Sequence, residues 1–101
     1  MTNLSPMAIL VDAAIWPHRG RRWAHLVSDA SLNELHGFAA DLGLRREWFQ
    51  GDHYDVPTEV RDRAILQGAE VVSSGQLVRR LRAAGLRQRT RVIRLPGERA
   101  S

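Results

Sequence analysis

The segment Asp52-His53-Tyr54-Asp55 is the densest polar cluster in the chain. In an extended backbone alternate side chains share a face, so His53 and Asp55 point one way and Tyr54 turns to the core. An imidazole and a carboxylate so placed can share a proton or hold a divalent cation. The same residues have a structural use, the Asp starting the next helix and the His satisfying a loop carbonyl. His25 and Asp29 are separated by three residues, and His36 lies at the edge of a helical apolar stripe. If the strand bearing His25 lies beside the His53 segment, His25, Asp29, His53 and Asp55 gather in one place. Asp12, at the end of an apolar run, is a further metal candidate. Two imidazoles and two carboxylates suffice for Zn, Mn or Mg with positions left open, the composition of a hydrolytic site. There is no cysteine, so a metal must be held by His, Asp or Glu. No His-Glu-x-x-His spacing is present.

A second set of residues suits phosphate. All fifteen basic residues are Arg, eight of them after residue 78 with Glu98 as their lone acid, while residues 1–78 hold seven Arg against ten carboxylates. An acidic body ending in a basic segment points to an anionic partner, nucleic acid or another polyanion. The phosphate-binding candidates are Arg21, Arg22, Arg79, Arg80, Arg82, Arg87, Arg89, Arg91 and Arg94. His18-Arg19-Gly20-Arg21-Arg22, between Trp16 and Trp23, mixes basic and aromatic groups as base- or phosphate-binding loops do. Large aromatics mostly serve the core, which is the expectation for both Trp. A Gly-rich phosphate loop, a Ser nucleophile elbow and a Cys nucleophile are absent, and Gly20, Gly37 and Gly43 fall in no dinucleotide fingerprint, so a nicotinamide or flavin enzyme is not expected.

These residues need elements to position them. Met7 to Val11 reads as a buried strand, residues 13–22 as a loop, and Trp23 to Ser28 as a second strand. Ser31 and Glu34 form a capping box, followed by the stripe Leu32, Leu35, Phe38, Ala39 and Leu42 up to Gly43. Arg45 to Gln50 reads as a turn carrying Trp48 and Phe49 inward. Pro57 opens a second helix to about Gln67, with Val60 and Ala64 facing the core. Ala69 to Ser73 reads as a strand. Ser73 and Gln76 cap a third helix with Leu77, Val78, Leu81 and Ala84 inward and Arg79, Arg80 and Arg82 outward.

The alternation predicts an α/β fold, a small, mainly parallel three- to four-stranded sheet with about three helices. At 101 residues one core is expected. The division is a disordered N-terminus at 1–6, a single α/β domain at 7–86, and an Arg-rich C-terminal strand or tail at 87–101. No apolar run is long enough to span a membrane, and a cytoplasmic location is expected.

Arg22-Trp23-Ala24-His25-Leu26, Glu34-Leu35-His36-Gly37-Phe38-Ala39, Trp48-Phe49-Gln50, His53-Tyr54-Asp55-Val56 and Gly68-Ala69, in this order, resemble a bacterial and phage family. It is catalogued as a domain of unknown function, number four-zero-three-one. The resemblance runs from about Met7 to Arg82. It implies an architecture and a residue set that includes His25, His36, His53 and Asp55, without a reaction. Ala24 stands where the family pattern leads one to expect Ser, which argues against an essential hydroxyl there.

The candidate ligand-binding residues are thus His25, Asp29, His36, His53 and Asp55, and the candidate metal set is Asp12, His25, Asp29, His53 and Asp55. The first functional expectation is a binding module for a phosphate-bearing ligand, nucleic acid above all. The alternatives are a divalent-metal-dependent phosphoesterase or nuclease, and an adaptor docking on an acidic protein.

Overall fold

A computed structural model describes residues 8–87 of the chain. The N-terminal segment 1–6 and the C-terminal residues from 88 on, including Arg89, Arg91 and Arg94, lie outside the described residues. In chain order the elements are β1 (Ile9–Val11), β2 (Trp16–His18), β3 (Arg21–Ser28), α1 (Leu32–Asp41), a 3₁₀ turn (Arg46–Trp48), β4 (Tyr54–Pro57), α2 (Thr58–Leu66), β5 (Glu70–Val71) and α3 (Ser74–Ala83).

The α/β class and the three helices match expectation, but the sheet has five strands and is mixed rather than mainly parallel. β3 is antiparallel to β1, β2 and β4, and β1 with β5 is the parallel pair. The reason is local. A parallel partner needs a crossover of about a dozen residues or more, whereas β2 folds straight back on β3. The stretch expected as a loop, 13–22, contains that hairpin. Its turn residues Arg19 and Gly20 both have positive φ, 53° and 75°, the pattern of a two-residue turn matched to strand twist.

Trp23 pairs with Trp16 on one side and Pro57 on the other, and Leu26 pairs with Val11 and Tyr54. β1 and β2 therefore lie end to end along one edge of β3, with β4 along the opposite edge. This arrangement brings Asp55 directly across from His25.

Period-two alternation splits the sheet into two faces. Ala24, Leu26, Tyr54 and Val56 point to α1 and α2 and pack with Leu35, Ala39, Leu42, Val60 and Ala64. Leu10 and Val27 point the other way and pack with Leu77 and Leu81 of α3. Full burial of each such leucine contributes about 1.5–3 kcal/mol. Ser31 caps α1 by accepting from the Glu34 N–H, but the Glu34 carboxylate takes the Ser28 hydroxyl instead of closing the box. Ser73 and Gln76 complete a reciprocal box on α3.

Leu86 joins the α3 cluster, and its N–H donates to Leu81 O. Deleting residues 88–101 is therefore expected to leave a cooperative thermal transition with stability changed by less than about 1 kcal/mol. Loss of the cooperative melt in the shortened chain would place part of the core beyond Arg87.

Candidate metal centre

β3 and β4 position the centre. On the face shared with α3, the strand alternation that buries Val27 also presents His25, and Asp55 stands opposite it. The His53 side chain comes from the approach to β4 and meets both. One ligand atom from each of His25, His53 and Asp55 falls within 4.8 Å of the others. The His25 and His53 rings meet edge to face, with centroids 5.2 Å apart.

Each imidazole is held from behind by a buried carboxylate. His25 Nδ1 is 2.8 Å from Asp12 Oδ2, and the His25 N–H donates to Asp12 Oδ1 at 2.7 Å. Ser74, the first residue of α3, donates its hydroxyl to Asp12 Oδ2, while Arg61 on α2 donates to the Asp12 carbonyl. Burial alone would raise the Asp12 carboxyl, but the bonds from His25 and Ser74 bring it below its ordinary value. An ionised Asp12 only accepts, so His25 Nδ1 is the donor in that bond, and in the neutral ring this leaves the lone pair on Nε2. The other face of the His25 ring is stacked on Trp16 at 5.1 Å.

His53 repeats the device. Its Nδ1 is 2.7 Å from Asp52 Oδ1, and Asp52 is buried, with Arg87 Nη1 at 3.5 Å from its other oxygen. Its Nε2 lies 3.1 Å from Asp55 Oδ1. Burial works against a charged His53, but the Asp55 and Asp52 carboxylates outweigh it, so His53 keeps its proton above the ordinary histidine value. Gln50 donates to Asp55 Oδ2 at 2.7 Å. Asp55 Oδ1 is a buried oxygen without an aligned hydrogen bond, its approach to His53 being a charge contact.

A pair of imidazoles, each oriented by a carboxylate on its far nitrogen, with a third carboxylate beside them, is the arrangement by which proteins hold transition metals. Three protein donors also leave room for water or substrate, as in catalytic sites.

Two members of the expected set lie elsewhere. Asp29 is at the far end of β3, where Oδ1 accepts from the Ala8 N–H and Oδ2 from Arg80 Nε and Nη2. Both its oxygens are committed to holding β1 and α3, and it takes no part in the centre. His36 is on α1, across the sheet, with Nδ1 2.8 Å from the Tyr54 hydroxyl and its ring edge-on to Phe49. Burial, with Arg46 nearby, lowers its proton affinity. Tyr54 does face the core, as expected. Asp12, His25, His53 and Asp55 do come together, and Asp52, part of the polar cluster but not of the candidate set, joins them.

The arginines divide as well. Arg80 is half-buried on Asp29 and Glu70 rather than facing out, whereas Arg79, Arg82 and Arg22 are exposed. Arg21 pairs with Glu59. Neither Trp16 nor Trp23 is a core residue, and Trp48, expected to point inward, is 49 % exposed. All three line a cleft of about 660 Å³ that also takes in Arg19, Arg21, Gln50 and Asp55. The cause lies in the hairpin, which stations Trp16 and Trp23 side by side on an edge that no helix needs.

No helix among the described residues is long and apolar enough to cross a membrane. No curated protein and no solved structure matches the chain. The family model described as "Protein of unknown function (DUF4031)" matches residues 9–84, three-quarters of the sequence and all of the elements above, and the chain therefore belongs to that family.

Proposed function

We propose that the protein is a divalent-metal-dependent phosphoesterase or nuclease whose cation is held by His25, His53 and Asp55. The observation that carries this reading is the convergence of the three donors within 4.8 Å, with Asp12 and Asp52 fixing the two imidazoles from behind. The charge balance is compatible with it: the Asp52 and Asp55 carboxylates that favour a second proton on His53 would equally favour a divalent cation, which takes that proton's place on the ring. A divalent cation held by His25, His53 and Asp55 would supply Lewis-acid chemistry toward a phosphoryl oxygen and toward an attacking water. Water oxygen then bonds to phosphorus, the ester P–O bond breaks, and the departing alcohol takes up a proton.

The protein's own residues supply orientation. Asp12 keeps the His25 lone pair toward the centre, Gln50 holds Asp55 by its other oxygen, and Trp16 walls one face of His25. Arg19 on the adjoining cleft is suited to an anionic ester. Phosphate binding without turnover is the related reading, which makes the chain a binding module.

Titration of the apo-protein with Zn²⁺, Mn²⁺ and Co²⁺ tests the centre. At a free metal concentration of about 100 Kd, stability should rise by about 2.7 kcal/mol, a shift in melting temperature on the order of 10 °C. His25→Ala and His53→Ala should each abolish that shift, and bis(p-nitrophenyl) phosphate hydrolysis should vanish with it. A metal response that survives both substitutions would sink the assignment, and a response without hydrolysis of any phosphate ester would leave binding as the function.

A further inference from the structure

Three tryptophans are all the sequence has, and none is spent on the core. In a chain this small that is a costly placement, because a buried Trp removes more apolar surface from water than almost any other side chain. Trp16, Trp23 and Trp48 instead line one cleft, and Asp55 lies on its wall. Trp16 stacks directly on the metal-facing His25, so the aromatic surface is continuous with the centre. Asp55 is the donor that the cleft and the centre share.

We infer that this cleft seats an unpaired nucleobase of a single-stranded nucleic acid, stacked on tryptophan, with the neighbouring phosphate directed to the His25–His53–Asp55 centre.

The charge at the rim fits this occupant. Glu59 is neutralised by Arg21 and Glu47 by Arg45, while Arg19 has no ion-pair partner among the described residues. Arg19 is also the one non-glycine residue described with positive φ, at a turn position that favours Asn, Asp or Gly. An L-side chain with a Cβ tolerates that conformation at a cost, and such departures cluster at ligand-binding positions. The strained position holds a guanidinium at the mouth of an aromatic cleft, which is where a nucleotide's phosphate would lie. Aromatic surface takes any base by its π-face, with cations following the backbone. Bases paired in a duplex are stacked on one another and cannot enter. Arg79 and Arg82, exposed on α3, add a polyanion preference in the same chain.

This inference rests on the metal-centre reading for the fate of the phosphate, and stacking is testable without it. Quenching of tryptophan fluorescence by a single-stranded oligothymidylate, measured in EDTA, should saturate. An abasic oligomer of equal length and charge should bind roughly tenfold or more weakly, as should duplex DNA, because base stacking is the difference. Trp48→Ala, at an exposed position, should weaken oligothymidylate binding roughly tenfold while leaving Zn²⁺ titration unchanged. Arg19→Asn should weaken it too, with a melting temperature equal to or above that of the parent. Thymidine monophosphate in the same assay separates a free nucleotide from a strand, and tighter binding of the monophosphate would overturn the strand assignment. Equal binding of abasic and base-bearing oligomers, or of duplex, would overturn the inference. Retained base-dependent quenching with no metal binding would instead remove the metal centre alone.

Discussion

Asp12→Asn is expected to cost roughly 10- to 100-fold in metal affinity while the protein stays folded. The two side chains have the same shape, so Asn can still accept the His25 backbone N–H that Asp12 takes at 2.7 Å. What changes is the second oxygen. Asp12 Oδ2 accepts from both His25 Nδ1 and the Ser74 hydroxyl, and an amide nitrogen in its place can accept neither. His25 then relieves the conflict by switching tautomer, so that Nδ1 accepts from the amide and the proton moves to Nε2. That proton occupies the lone pair the cation needs. Asp12→Ala should bind metal no better and should also lose stability, about 1–3 kcal/mol for each buried group left unsatisfied. Calorimetric titration measures the affinities, and nitrogen-15 shifts of the His25 ring report the tautomer. If Asp12→Asn binds Zn²⁺ as the parent does, Asp12 does not orient His25.

The sequence made part of this site legible because local rules place it. Alternation along an extended segment is enough to put His53 and Asp55 together and Tyr54 in the core. The capping residues Ser31 and Ser73 mark two helices, and Gly43 ends one of them at a φ of 84°. The strand order was not legible, since it depends on β3 pairing along both edges at once, a tertiary outcome with no local signature. The Arg19-Gly20 hairpin escaped for a different reason. Arg is a poor residue for a left-handed turn position, so the stretch reads as an irregular loop. Missing that hairpin also hides the tryptophans, which look like core residues until β2 is paired at the sheet edge. The likeness of Asp12 and Asp29 misled in the same way, because each follows a strand. Only the position of α3 separates them: its first residue, Ser74, reaches Asp12, and its Arg80 reaches Asp29.

That separation leads to an expected result opposite in kind to the first. Asp29→Ala should destabilise the protein by about 3 kcal/mol and leave metal affinity unchanged. The Asp29 side chain is 2 % exposed, and it accepts three hydrogen bonds, from the Ala8 N–H at 2.6 Å and from Arg80 at 2.9 and 2.7 Å. Truncation strands a half-buried guanidinium and a backbone donor just before β1 together. Arg80 keeps Glu70 at 3.1 Å on the exposed side, which holds the cost near the lower end of the 3–5 kcal/mol typical when one partner of a buried pair is removed. Asp29 stands four positions beyond His25, about 13 Å along extended backbone, so the loss should not reach the donors. Thermal melts of the apo- and Zn²⁺-loaded variant give both quantities. The apo melting temperature should fall by roughly 10–20 °C, with the increment on adding metal preserved. An Asp29→Ala protein that melts normally yet no longer responds to metal would return Asp29 to the centre and show that the β3 geometry had been misread.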